Sequence, residues 1–123
     1  MVRSELILIG YWRGEGTAEH WPWPGDFVDP EWDQNERDQI ADYLGRGFVV
    51  RALMGYSPCR ICGRDNGSLE LSDGVYVWPE GLAHYVSDHS VRLPERFVSH
   101  ALSMIETFEA AGRDESWWRS LGR

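Results

Sequence analysis

Two cysteines and two histidines have the types and spacing of a zinc site. Cys59 and Cys62 are separated by two residues and followed by Gly63, as in a zinc knuckle, where two thiolates point inward from a tight turn. His84 and His89 have four residues between them, which lies within the range of zinc-finger histidines. Thiolate and imidazole are the ligands that zinc prefers in tetrahedral structural sites. We therefore predict that Cys59, Cys62, His84 and His89 bind one zinc ion.

The helical placement of the histidines leaves alternatives for the fourth ligand. On an ideal α-helix, a five-residue offset separates two side chains by about 140° around the axis. His84 and His89 can therefore reach one ion only if the helix loosens near His89. Asp88 lies one turn after His84 and is the alternative ligand, while His100 is a weaker candidate because a lone helical histidine is more often a packed or exposed residue.

Three other kinds of chemistry are open to a Cys-x-x-Cys pair. A zinc-dependent hydrolase would leave one metal position open, with Glu80 or Asp88 as the proton carrier. A thioredoxin-like redox motif would begin a helix at the cysteines, but the turn-forming residues 63–67 follow instead. Zinc nucleobase deaminases also need His-x-Glu, which His20-Trp21-Pro22 does not provide. The hydrolase is the alternative that we retain.

The elements around this site predict an α+β fold. Asn66-Gly67 and Asp73-Gly74 are strong turn dipeptides that bracket a hairpin of strands 68–72 and 75–78. A two-residue turn at Asp73-Gly74 would pair Leu71 with Tyr76 and Leu69 with Trp78. These four apolar side chains would then share one face of the hairpin.

The remaining segments complete a single domain over residues 1–123. Apolar runs predict further strands at 6–9 and 48–56, so that the sheet is small and antiparallel. Capping residues predict a helix that starts near 30–34 and ends at Gly45 or Gly47. Pro79 and Pro94 predict helices over 79–89 and 94–111, the second of which covers the sheet, and Asp114 could cap a last turn. The order of knuckle, hairpin and helix is analogous to a treble-clef zinc site.

Composition excludes several classes of protein. All 12 basic residues are arginine, which excludes chemistry that needs a lysine, such as Schiff-base formation. Two cysteines are too few for a secreted scaffold with several disulfides. The early apolar run, residues 6–9, is too short for a signal peptide or a membrane span. We therefore expect a soluble cytoplasmic protein that does not associate with membranes.

Charge is distributed unevenly and indicates a protein partner. Residues 15–42 contain nine acidic side chains and one arginine, for a segment charge of -8, and three of the seven tryptophans. Aromatic side chains surrounded by charge are typical of a protein-binding surface, and the acidic segment would favour a basic partner. We predict a non-enzymatic adaptor or inhibitor, similar to an immunity protein, with these contact residues: Trp21, Trp23, Asp26, Asp29 and Trp32.

The segment 43–64 is basic instead. It contains four arginines and no acidic residue: Arg46, Arg51, Arg60 and Arg64. These arginines could offset the charge of the thiolates, or they could bind an anion such as a phosphate. Binding to nucleic acid through them is disfavoured by the net charge of -8 of the whole chain.

The stretch from Gly55 to Pro94 contains the runs GYSPCRICG, NGSLELSDGVYVWPEGLAHYV and HSVRLP. In these runs it resembles a group of small uncharacterised bacterial proteins to which no activity is assigned. The resemblance covers about a third of the chain. It implies a shared layout of the metal site at Cys59, Cys62, His84 and His89, and it implies no activity.

Overall fold

The computed structural model describes residues 4–14, 20–53, 55 and 57–122. Within these residues the fold is α+β, as predicted, with one four-stranded sheet, four α-helices and a short 3-10 helix at Pro24–Phe27. The strands are β1 (Ile7–Leu8), β2 (Phe48–Ala52), β3 (Leu69–Ser72) and β4 (Tyr76–Pro79). The helices are α1 (Gln34–Gly45), α2 (Leu82–His89), α3 (Glu95–Ala110) and α4 (Ser116–Ser120).

Local signals place α1 and α3 correctly and α2 partly. The side chain of Asp33 accepts a hydrogen bond from the amide of Glu36 at 3.0 Å, so Asp33 caps α1, which begins within the predicted range of 30–34. Helix α3 begins directly after Pro94, and α4 follows Asp114 by two residues. Helix α2 begins three residues later than predicted, because Pro79 is the last residue of β4 and not the first residue of a helix.

The sheet is mixed, which corrects the prediction of a purely antiparallel one. Its strand order is β1-β4-β3-β2, and β1 runs parallel to β4 while the other two pairs are antiparallel. The amide of Ile7 donates to the carbonyl of Val75 at 2.9 Å. Parallel pairing is possible here because the long connection from β1 to β4 contains α1, β2 and β3. Strand β2 ends at Ala52 instead of near residue 56, and residues 54 and 56 lie outside the described residues.

The hairpin of β3 and β4 has a different register from the predicted one. Leu71 pairs with Trp78 and Ser72 pairs with Val77, and three residues instead of two, 73–75, lie between the two strands. The carboxylate of Asp73 accepts hydrogen bonds from the amides of Val75 and Tyr76, at 2.9 and 2.8 Å, and these bonds stabilise the longer turn. The shift in register is two residues, which preserves the side-chain faces. Leu71, Tyr76 and Trp78 are therefore buried on one face, as predicted.

Three helices cover this face, although the prediction assigned it to α3 alone. Trp78 is fully buried, its indole N–H donates to the carbonyl of Leu44 in α1 at 3.0 Å, and its ring packs against Phe97 of α3. Helix α2 contributes Leu82 and Val86 to the same core. Only the first half of α3 is buried, since Phe108 in its second half is exposed. No described helix has the length and apolar character needed to cross a membrane.

Candidate metal centre

The main chain of residues 58–65 forms a tight turn that carries both cysteines. The amide of Cys59 donates to the carbonyl of Arg64, and the amide of Gly63 donates back to the carbonyl of Cys59, both at 2.8 Å. Gly63 has a φ of 79°, in the left-handed region that glycine adopts without a steric penalty. The turn buries Cys59 and leaves Cys62 exposed, and neither cysteine forms a disulfide. This is the geometry expected of a zinc knuckle.

The end of α2 allows both histidines to face the knuckle. His89 is the last residue of the helix, and Ser90 has a left-handed φ of 52°. The amide of Ser90 donates to the carbonyl of Tyr85, five residues back, whereas an ideal α-helix uses four. The last turn is therefore wider than an ideal turn, which reduces the angular offset between His84 and His89. The predicted loosening of the helix takes this form, and the two imidazole centroids lie 4.9 Å apart.

The four predicted ligands form one cluster. One ligand atom each from Cys59, Cys62, His84 and His89 lies within 4.8 Å of all the others, and Cys62 Sγ is 3.3 Å from His84 Nε2. In a tetrahedral zinc site, metal–ligand bonds of about 2.0 to 2.3 Å place the ligand atoms roughly 3.3 to 3.8 Å apart. The cluster is close to that size, and these residues could therefore hold a metal ion.

A buried nitrogen atom without a hydrogen-bond partner is a second observation that fits a bound metal ion. His89 Nε2 is buried and has no hydrogen-bond partner among the described residues. A buried polar atom without a partner costs free energy, so such atoms in native proteins usually bind something. A lone pair on this nitrogen directed to a metal ion would satisfy it. The donor set and this unpaired nitrogen both fit a bound metal ion.

The protonation state of His84 also suits metal binding. Burial lowers the pKa of His84 below its usual 6.5, Asp88 opposes this shift, and His89 and Arg64 add to it. The imidazole of His84 is therefore neutral at pH 7. The neutral form is the one that can donate a lone pair to a metal ion.

Asp88 contacts a candidate ligand, His84, and is not a member of the cluster itself. Its carboxylate lies 3.2 Å from His84 Nδ1, on the opposite side of the ring from the Nε2 atom that faces Cys62. A carboxylate in this position fixes the orientation and tautomer of a metal-binding histidine. Neither Asp88 nor His100 replaces His89 in the cluster. His100 instead contacts the turn of the hairpin, with Nε2 at 2.8 Å from the Asp73 carboxylate.

Changing Asp88 to asparagine should weaken metal binding without unfolding the protein. We expect the affinity for zinc to fall by about 10- to 100-fold, because the carboxylate that orients His84 is lost. The fold should remain, since Asp88 is half exposed. Competition with a chromophoric chelator measures the affinity, and Asp65→Asn, an exposed acid in the knuckle, is the matched control. Equal zinc affinities for the two variants would contradict this role of Asp88.

Tyr85 of α2 also supports the knuckle, a role that the sequence analysis did not assign to it. Its hydroxyl accepts a hydrogen bond from the amide of Arg60 at 2.7 Å, directly beside Cys59. Burial raises the pKa of Tyr85 to about 12, with the Arg60 amide opposing the shift and Cys59 adding to it. A buried tyrosine needs a hydrogen-bond partner for its hydroxyl. This general rule is the signal from which a polar contact of Tyr85 could have been predicted.

Glu80, the candidate proton carrier of the hydrolase alternative, forms a structural contact instead. Its carboxylate accepts hydrogen bonds from the amides of Ser68 and Leu69, at 2.6 and 2.9 Å. These bonds attach the end of β4 to the start of β3. Glu80 is not part of the candidate metal-binding cluster.

The predicted partner surface is partly exposed, and one of its members is corrected. Trp23 is 41% exposed and Asp26 is exposed, while Trp21 is half buried and Asp29 pairs with Arg92 at 2.9 Å. Trp32 is only 3% exposed and belongs to the core. Its assignment to a contact surface was therefore wrong. The periodicity of this acidic segment did not reveal that one tryptophan fills the interior.

The four arginines of the basic segment have different surroundings. Arg46 pairs with Asp42 at 2.9 Å, and Arg51 pairs with the buried Glu70 at 2.7 Å. Arg60 and Arg64 both belong to the turn that carries the cysteines. Two of the four charges are thus compensated by carboxylates, which reduces what they could contribute to an anion site.

No family model, curated protein or solved structure matches this chain.

Proposed function

We propose that this protein is a non-enzymatic binding module whose fold is stabilised by one structural zinc ion. The observation that carries this proposal is the cluster of Cys59, Cys62, His84 and His89, whose ligand atoms lie within 4.8 Å of one another. When bound, the ion would cross-link the knuckle to the end of α2. Knuckle, hairpin and helix would then form a treble-clef-like arrangement, by analogy with that class of site.

The ligand types favour zinc over other metals. Two thiolates select a borderline or soft ion and disfavour magnesium and calcium, which prefer oxygen ligands. Two imidazoles complete the Cys2His2 set of structural zinc sites. The combination argues for Zn²⁺ as the resident ion.

A structural role is favoured over catalysis because four protein ligands are available. Catalytic zinc sites usually have three protein ligands and keep one position for water or substrate. Here the fourth ligand is His89, whose Nε2 lacks any other partner among the described residues. Glu80 is bound to two backbone amides, so it is a poor proton carrier. The hydrolase is therefore the second candidate.

The binding role rests on an aromatic and acidic surface near the 3-10 helix. Trp23 and Val28 are both exposed, and Asp26 lies between them. In α1 the exposed Asp38 adds negative charge, while the charge of Asp42 is compensated by Arg46. Such a surface would attract a basic protein through its charge, and the indole of Trp23 would then be buried at the interface. We propose a basic protein as the partner, with this chain acting as an adaptor or an inhibitor.

The binding role predicts that Trp23→Ser abolishes the capture of a basic protein, while Trp118→Ser, at an exposed tryptophan elsewhere on the molecule, does not. With the purified partner, we expect Trp23→Ser to weaken the affinity by at least about tenfold, because buried aromatic anchors dominate interfaces. Added salt and Asp26→Asn should also weaken binding. Isothermal titration calorimetry measures these affinities. An unchanged affinity of Trp23→Ser for the partner would contradict the proposed binding surface.

The hydrolase makes a different prediction. It would be favoured if the protein showed zinc-dependent hydrolysis and if His89→Ala abolished this activity without unfolding the chain.

A further inference from the structure

A groove lies between the end of α1, the start of β2 and the second half of α3. Its volume is about 470 Å³, and its apolar wall includes Tyr43, Phe48, Met104, Ile105 and Phe108. A protein cavity of about 150 Å³ is known to bind benzene, so this groove has room for an indole ring with an aliphatic side chain beside it. Phe48 and Phe108 are 82% and 62% exposed, so the described part of the chain leaves these two rings largely uncovered.

The segment after α3 carries a complementary set of side chains. In α4, Trp117 and Trp118 are 71% and 70% exposed, and Leu121, directly after the helix, is 59% exposed. No residue of α4 is buried. Soluble domains rarely expose large apolar side chains as a contiguous patch, and such a patch usually marks an interaction site.

The connection between α3 and α4 is held by its own hydrogen bonds. The guanidinium of Arg113 donates to the carbonyls of Phe108 and Ala111. The carboxylate of Asp114 accepts hydrogen bonds from the amide and the hydroxyl of Ser116, at 2.9 and 2.7 Å. These bonds fix a path along which α4 stays exposed and outside the groove of its own chain. A second copy of the chain could supply both an α4 for this groove and a groove for this α4.

The charges of the two surfaces favour the same pairing. The segment 116–123 contains two arginines and no acidic residue, although the net charge of the chain is -8. The groove is lined by three acids and one arginine: Asp42, Asp73, Glu109 and Arg46. Arg119 and Asp42 each pair with an exposed residue four positions away, and such pairs are weak enough to be exchanged for contacts across an interface. Attraction between the groove and the segment would offset part of the repulsion between two acidic chains.

The exposed area is large enough for a weak dimer. A buried phenylalanine or tryptophan side chain removes about 150 to 250 Å² from water. The exposed parts of Phe48, Phe108, Trp117 and Trp118 therefore amount to roughly 400 to 700 Å² per chain. Two reciprocal contacts would bury about 800 to 1,400 Å², which reaches the lower end of the range of about 1,200 to 2,000 Å² for specific interfaces.

From this juxtaposition we propose that the protein forms a symmetric dimer in which α4 of each copy docks into the groove of the other. The two tryptophans of α4 would pack against Phe108 and the other apolar residues of the groove. Each chain supplies one groove and one α4, so the two contacts are equivalent and the assembly closes at two chains. This surface is separate from the candidate metal centre and from the surface around Trp23.

Sedimentation equilibrium of the zinc-loaded full chain tests the dimer. We expect a monomer–dimer equilibrium with a dissociation constant on the order of 100 µM, as the small area implies. At the low micromolar concentrations of an unfolding experiment the chain is then monomeric. The double variant Trp117→Ser/Trp118→Ser in α4 and the variant Phe108→Asp in the groove should each raise the dissociation constant at least about tenfold. Trp23→Ser, at an exposed tryptophan elsewhere, should leave it unchanged.

A mixture of the two variants tests whether α4 and the groove contact each other. The α4 variant keeps an intact groove and Phe108→Asp keeps an intact α4, so the mixture should form a heterodimer more readily than either variant forms a homodimer. Far-UV circular dichroism and zinc content verify that both variants are folded, as expected for substitutions at exposed side chains.

NMR of the wild type identifies the contact directly. In a sample that mixes chains with labelled methionine methyl groups and unlabelled chains, the methyl group of Met104 should show a nuclear Overhauser effect to indole protons of the unlabelled chain. A chain that stays monomeric up to about 1 mM, well above the expected dissociation constant, would overturn the proposal. So would a dimer that survives either variant, or the absence of the Met104 signal between chains.

Discussion

Cys62→Ser is expected to unfold the protein, whereas Ile61→Ser in the same turn should leave it folded. Cys62 is exposed, so its sulfur contributes little to packing, and a large effect must come from a lost metal ligand. Zinc binding at structural sites is worth about 10 to 16 kcal/mol in apparent free energy. This matches or exceeds the total stability of a small domain, about 5 to 15 kcal/mol.

The comparison with Ile61→Ser separates metal binding from disturbance of the turn. Ile61 is also exposed and lies between the two cysteines, but it offers no ligand. Far-UV circular dichroism reports the fold, and native mass spectrometry is expected to show one zinc per chain for the wild type and none for Cys62→Ser. A chelator should reproduce the loss of structure in the wild type. A metal-free protein that is fully folded would refute the structural role of zinc.

Trp78→Ala is expected to cost about 3 to 5 kcal/mol of unfolding free energy, the usual range for removing a large buried aromatic side chain. Trp78 is fully buried, contacts Tyr43 and Phe97, and donates to the carbonyl of Leu44. Its removal would leave a cavity and an unpaired carbonyl at the junction of the sheet with α1 and α3.

Trp117→Ala is the matched control for this substitution. Trp117 is 71% exposed in α4, so its loss should change the stability by no more than about 0.5 kcal/mol. Urea unfolding in excess zinc measures both variants while the metal site stays saturated. Similar costs for Trp78→Ala and Trp117→Ala would mean that the core is not centred on Trp78.

The sequence by itself determined the four residues of the candidate metal-binding cluster and the helices whose signals are local. Ligand chemistry depends on residue type, and the two-residue spacing of Cys59 and Cys62 is a property of one short turn. Likewise, the cap at Asp33 and the proline before Glu95 act within a few residues of the helices that they start. Such signals are readable because the groups that interact are neighbours along the chain.

Only the tertiary structure decided features that depend on distant parts of the chain. The parallel direction of β1, the burial of Trp32 and the contact of Asp88 with His84 Nδ1 each depend on packing or orientation that the sequence pattern does not encode. The register of the hairpin was misjudged because the Asp73 carboxylate, itself held by Tyr43 and His100, stabilises a longer turn than the Asp-Gly pair alone predicts. Spacing predicts local geometry, but energies of packing and hydrogen bonding between remote segments select among the arrangements that it permits.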